Sequence, residues 1–158
     1  MDSEIIKKYG DRVRLRVCGL CWEQDQLLMV NHIGITPGSF WAPPGGGVEF
    51  NQTAQESLIR EFKEETNLLV TIGQFKFACE FINKPLHAVE LFFEVFKVSG
   101  KLMLGKDPES EADRQILQDV RWLNFDQIQA IPEDERHGIF RLVQSVQGIK
   151  TLSGFYRI

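Results

Sequence analysis

Residues 45–68 read GGGVEFNQTAQESLIREFKEETNL, a triple glycine running into a strongly patterned helix. The spacing predicts a helix over 54–66. Thr53 followed by Glu56 forms a capping box, in which each side chain satisfies an orphan amide of the first turn. Asn67 is a left-handed stop at the other end. Leu58 and Phe62, with Ile59 beside them, form the apolar stripe that packs on a core. Glu61, Glu64 and Glu65 stand at i, i+3 and i+4 and share one face at the margin of that stripe. Like charges so placed repel, and partial burial raises the cost. A divalent cation reverses the sign, and oxygen-only donors at this density suit Mg2+ or Mn2+. Without the preceding loop, a solvated acidic helix face explains the trio as well. Three glycines allow a close backbone approach to a ligand, and a turn feeding a capped helix can present phosphate oxygens to its N-terminus. Turn and carboxylates together suit the joint holding of metal and diphosphate.

On the N-terminal side, Val13, Leu15, Val17 and Gly19 alternate with Arg12, Arg14, Arg16 and Cys18, a strand of period two. Leu27–His32 is its hairpin partner, Gly34–Gly38 a loop, and Phe40–Ala42 a short strand stopped by Pro43, Pro44 and a turn at Gly45–Gly47. On the C-terminal side, Phe75, Phe77, Cys79 and Phe81 alternate. A turn at Asn83–Pro85 follows, then Val89, Leu91, Phe93 and Val95, giving a long hairpin. Residues 100–114 read as loop and 116–123 as a strand. Ile139, Leu142, Val143 and Val146 sit at helical spacing before a stop at Gly148. Strands interleaved with two helices imply an α/β fold of layered type. The hairpins make the sheet mixed.

The chain has 158 residues and a mass of 18.2 kDa, with 43% hydrophobic and 25% charged residues. These figures suit one soluble domain spanning residues 1–158. A net charge of −4 and a pI of 5.4 give no electrostatic support for nucleic-acid binding. Gln26 to Val48 holds no Asp, Glu, Lys or Arg, yet Pro37, Pro43, Pro44 and five glycines forbid a membrane helix. The N-terminus lacks a signal-peptide core, and the three cysteines are few and odd in number, so a cytoplasmic, reduced protein is expected.

The stretch from Gly46 to Leu68 resembles the Nudix box, the signature of the Nudix hydrolases. Gly46 matches its opening glycine, and Arg60, Glu61, Phe62, Glu64, Glu65 and Leu68 match its second half in register. Gln52 stands where the family has glutamate, and Asn67 where it has glycine. The resemblance implies an α/β/α sandwich. It also implies attack of water on a nucleoside diphosphate linked to another moiety: a nucleoside triphosphate, a nucleotide sugar or an ADP-ribose type. By position, Glu61, Glu64, Glu65 and the Gly46 carbonyl would hold Mg2+ or Mn2+. Glu61 would act as a base or orient one, and Arg60, paired with Gln52, would orient a carboxylate. Relatives that draw a base from a later loop point to Glu109 and Glu111. The other reading of the same fold is a nucleotide- or protein-binding module without turnover, which Gln52 favours and the intact glutamates oppose.

Arg16 is the arginine of its strand face best placed to meet phosphates, and Phe40 and Trp41 could stack on a base, although core packing explains both aromatics as well. Cys18 and Cys21 form a CxxC, but strand residues three apart face opposite ways, so both read as buried small hydrophobes. Asp107, Glu109 and Glu111 do not open a calcium loop, because Ala112 and Gln118 stand where glycine and glutamate are needed. Exposed edge strands leave room for a homodimer.

Overall fold

The computed structural model describes residues 3–34, 36–106 and 116–158. Helix α1 (Ser3–Tyr9) precedes strands β1 (Val13–Glu23), β2 (Gln26–Ile33), β3 (Ser39–Ala42) and β4 (Gly45–Gly47). Then come α2 (Ala54–Thr66), β5 (Leu69–Asn83), β6 (Leu86–Ser99), β7 (Leu117–Leu123), α3 (Phe125–Ala130), α4 (Val146–Thr151) and β8 (Gly154–Arg157). Two short 3-10 turns, Glu133–Glu135 and Gly138–Arg141, lie between α3 and α4.

The strands form one mixed sheet in the order β3-β2-β1-β6-β5-β8, with β4 added on β1 and β7 on β2. β1 runs parallel to β6 from Val13↔His87 to Cys21↔Val95, and β8 runs parallel to β5. The hairpin pairs are antiparallel, as their short connections require. One face of the sheet packs Val17, Cys21 and Val95 under Leu58 and Phe62 of α2. The other packs Cys18, Leu20, Phe77 and Phe92 under Ile128, Ile139 and Ile149 from the C-terminal helices and turns. Helices therefore cover both faces, the expected α/β/α sandwich. Cys18 and Cys21 fall into opposite cores, as period two requires. No described helix is long and apolar enough to cross a membrane.

Three local expectations change. Gly45–Gly47 is not only a turn. It pairs antiparallel with Arg16–Cys18, and a Cβ at Gly45 would overlap the Val17 carbonyl, so only glycine lets the strands meet there. The periodic run 139–146 is not one helix. The His137 side chain caps the turn Gly138–Arg141, and Ser145 caps a separate α4 that contains Gly148. Two caps offering local hydrogen bonds cut the run, and Leu142 is left 39% exposed. Ile59 is 37% exposed and not part of the packed stripe, because Leu58 and Phe62 already fill the contact with the sheet. Sequence patterning also missed α1, α3 and β8, which span two periods or fewer, too few repeats to establish a pattern.

Candidate active site

α2 is fixed at both ends as the sequence demands. Thr53 and Glu56 form the reciprocal capping box, and Asn67 takes φ 61° and ψ 12°, the left-handed stop. That fixes where the helix starts and stops, and its apolar stripe fixes its rotation. Leu58 and Phe62 are fully buried, so Glu61, Glu64 and Glu65 must rise beside them.

β4 brings the glycines to this face. Gly46 faces Val17 in register, and a Cβ on it would overlap the Glu61 carboxylate. Glu65 is only 6% exposed. Its Oε2 accepts the Gly45 N–H at 2.9 Å, and its Oε1 lies 3.3 Å from His32 Nε2. His32 Nδ1 is buried with no hydrogen-bond partner among the described residues.

Arg60 ties the cluster together. Its Nη1 lies 3.0 Å from Glu61 Oε1 and 3.1 Å from Glu64 Oε2, and its Nη2 donates to the Gly47 carbonyl at 3.3 Å. Its Nε donates to Gln52 Oε1 at 3.3 Å, an oxygen that also accepts from Ser57 Oγ at 3.0 Å. Gln52 thus offers Arg60 a neutral acceptor where the family's glutamate would offer a charged one.

Among the described residues, no group of three or more His, Cys, Asp or Glu side chains closes around one metal-sized point. What occupies the gap between Glu61 and Glu64 is the Arg60 cation. The donors fit a hard divalent ion on two counts: they are all oxygen, and they already gather positive charge. Burial first, and then the negative charge of Glu65, push the Glu61 carboxyl up to about 7 despite Arg60. An unfolded glutamate titrates near 4.5, so between these values the folded chain holds more protons. Metal-free stability must then fall as pH rises from about 4.5 to about 7. Glu61→Gln removes that loss. In EDTA at pH 8 the variant is expected to be more stable than the parent by about 1–3 kcal/mol, a shift of several degrees in Tm. At pH 5 the gap should close. Thermal scans at both pH values check this, and a variant that melts lower than the parent at pH 8 would contradict it.

The carboxylates open onto a cleft of about 670 Å³. Arg16, Phe40, Glu90 and His137 line it, with Tyr9 and Arg14 farther along. Phe40 turns its ring toward that of His137, centroids 6.3 Å apart. Trp41 points the other way. It packs against the core under the C-terminal helices, with Arg121 over its ring at 5.9 Å, and does not line the cleft. Glu109 and Glu111 lie outside the described residues.

Two further cleft residues, Glu90 and His137, were not picked out by the sequence. Glu90 is 6% exposed and accepts from Arg16 Nε at 3.0 Å and from His137 Nε2 at 2.6 Å. Burial works against its charge, but His137 and Arg16 more than reverse this and hold it at about 2. The available signal was a lone carboxylate on a strand face between Ala88 and Phe92, both buried. His137 gave no comparable signal.

The profile described as NUDIX domain matches residues 11–143. The chain belongs to the Nudix family. It is 27% identical over 112 residues to the ADP-ribose pyrophosphatase of Methanocaldococcus jannaschii, covering 70% of this chain and 66% of that protein. It is 29% identical over 94 residues to the uncharacterized Nudix hydrolase YvcI of Bacillus subtilis, covering 59% of this chain and 56% of that one. These alignments thus span less than two-thirds of either relative. Among solved structures, a NUDIX hydrolase from Nitrosomonas europaea superposes with a TM-score of 0.68 at 18% identity, covering 89% of this chain and 88% of that one. The MutT protein of Methanosarcina mazei Go1 superposes with a TM-score of 0.64, also at 18% identity, over 82% and 88% of the two chains. At such identities the superpositions speak for the fold.

Proposed function

We propose that this Nudix chain hydrolyses the diphosphate bond of a nucleoside diphosphate linked to a second group, using Mg2+ or Mn2+. The observation that carries this is the seating of Gly46 against Glu61, with Glu64 and Glu65 on the same helix face and the cleft in front. Glu61, Glu64, Glu65 and the Gly46 carbonyl would hold the cation. When bound, it neutralises charge developing on the phosphoryl oxygens and lowers the pKa of water. Glu61 would take a proton from water or orient the group that does. Arg60, anchored on Gln52 and Gly47, keeps Glu61 and Glu64 in fixed rotamers. Arranging charge before reaction is where catalytic electrostatics gains most. Phe40 offers a ring at the cleft wall on which a base can lie.

The test is a panel of nucleoside triphosphates, nucleotide sugars and ADP-ribose, assayed with Mg2+ and with Mn2+ and with products resolved. ADP-ribose belongs in it because the M. jannaschii relative is an ADP-ribose pyrophosphatase. Hydrolysis of at least one member, abolished by excess EDTA, is expected. Turnover undiminished in EDTA would refute the metal-dependent reading.

The binding-module alternative rests on Gln52, and the Gln52–Arg60 hydrogen bond weighs against it. A neutral acceptor to a charged donor still contributes roughly 1.5–3 kcal/mol, and a full ion pair somewhat more. The difference is on the order of 1 kcal/mol, about fivefold to tenfold in rate. Gln52→Glu is therefore expected to change kcat by no more than about tenfold, and Gln52→Ala to lower it further. An inert parent that Gln52→Glu switches on would establish the alternative.

A further inference from the structure

Beside the carboxylate site lies a second constellation, in which Arg16 is joined by two residues, Glu90 and His137, that the diphosphate chemistry leaves without a role. Arg16, Glu90 and His137 come from β1, from its parallel neighbour β6 and from the turn after α3, and they meet in the cleft wall. Arg16 and Glu90 are register partners, so the backbone alone sets them side by side. Both oxygens of Glu90 are engaged, Oε1 by Arg16 Nε at 3.0 Å and Oε2 by His137 Nε2 at 2.6 Å. His137 is itself fixed, because its Nδ1 accepts the Ile139 N–H at 3.3 Å, which leaves the ring proton on Nε2 for Glu90.

The Arg16 fork is thus held by one edge. Its Nη1 and Nη2 have no hydrogen-bond partner among the described residues, and the side chain keeps 24% of its surface exposed where it lines the cleft. In the β1–β4 pairing Arg16 stands opposite Gly47, one step from Val17 opposite Gly46, the glycine seated on Glu61. The Arg16 charge is felt at Glu61, and that of Glu65 at Arg16. A fork clamped at Nε with two free donors beside a carboxylate cluster has the geometry of a bidentate phosphate ligand.

We propose that Glu90 and His137 are positioning residues that lock Arg16, so that its Nη edge binds a non-bridging oxygen of the substrate diphosphate beside Glu61. This rests on the diphosphate reading above and goes beyond it in assigning a job to a buried ion pair and a histidine outside the Nudix box. Ordering the long arginine side chain in advance removes an entropic cost from each binding event.

The test uses the full chain in millimolar Mg2+ with imidodiphosphate, a non-hydrolysable diphosphate, as calorimetric probe, and ADP-ribose for kinetics. Arg16→Ala and Glu90→Gln are each expected to weaken imidodiphosphate binding by about tenfold or more, and to raise KM more than they lower kcat. In Glu90→Gln the new amide offers one acceptor oxygen and no charge to Arg16, His137 and Cys18, so the clamp on Arg16 is loosened without an empty space being left. The double variant Arg16→Ala/Glu90→Gln should bind no more weakly than Arg16→Ala, because Glu90 acts only through Arg16. A multiplicative double loss would overturn the proposal, as would a parent that binds imidodiphosphate no better than Arg16→Ala. If Glu90→Gln fails to fold, His137→Gln in the same cycle reads the same coupling. Absence of turnover across the substrate panel would count against the enzyme reading and leave the calorimetric arm intact.

Discussion

Glu65→Gln is expected to lower kcat by about a thousandfold while leaving the fold standing. Glu65 is the most buried of the three box glutamates, and both its oxygens have partners. Glutamine keeps an acceptor for the Gly45 N–H. Its amide can donate to His32 Nε2 once the ring proton moves to Nδ1, which has no competing partner among the described residues. The hydrogen bonds survive and only the charge is lost. A hard divalent cation loses an anionic donor, and loss of one preorganised electrostatic group costs about a hundredfold to a thousandfold. Steady-state kinetics with Mg2+ and Mn2+, beside a thermal scan showing Tm within a few degrees of the parent, measure the two halves separately. A variant that keeps a tenth of the parent kcat would remove Glu65 from the metal site. Excess EDTA should bring the parent down to the same floor.

A comparably large loss is expected from a single methyl group. Gly46→Ala should lower kcat by about a hundredfold or more with little change in stability. The new Cβ overlaps the Glu61 carboxylate, the far end of a side chain, so the fold yields by moving that carboxylate away from Gly46 and out of its ion pair with Arg60. Displacing a catalytic group by about an ångström costs on the order of a hundredfold. The flanking glycines supply the controls. At Gly45 the Cβ meets the Val17 carbonyl and the Cys18 Cα, which are backbone, so Gly45→Ala is expected to impair folding. At Gly47 nothing lies within 4 Å, and Gly47→Ala is expected to be nearly silent. Expression, melting and kcat of the three alanine variants would separate the three roles. Full activity in Gly46→Ala would show that Glu61 has room to spare and is not tied to that glycine.

The helix of the site was legible because its information is local. The capping box, the stripe of Leu58 and Phe62 and the left-handed Asn67 all act within one element, so residue order alone sets where α2 starts, stops and faces. The glutamate trio followed from the same period. The hairpins were legible for the same reason, since alternation and the turn after Asn83 concern neighbours along the chain. The periodic run 139–146 failed because two caps, at His137 and Ser145, outcompeted the period it displayed.

Pairings between distant segments could not be read that way. β1 lying parallel on β6 puts Arg16 beside Glu90, 74 positions away, and no period in either strand encodes that neighbour. The docking of β4 on β1 turns three glycines from a flexible turn into a strand whose middle residue seats Glu61. His32 reaches Glu65, and His137 reaches Glu90, by the same route. The family, the helix and the carboxylates on its face were thus written in residue order, because they rest on spacing within a few turns. The walls of the cleft and the partners of its charges came from the closing of the sheet, which joins residues whose separation along the chain carries no physical signal.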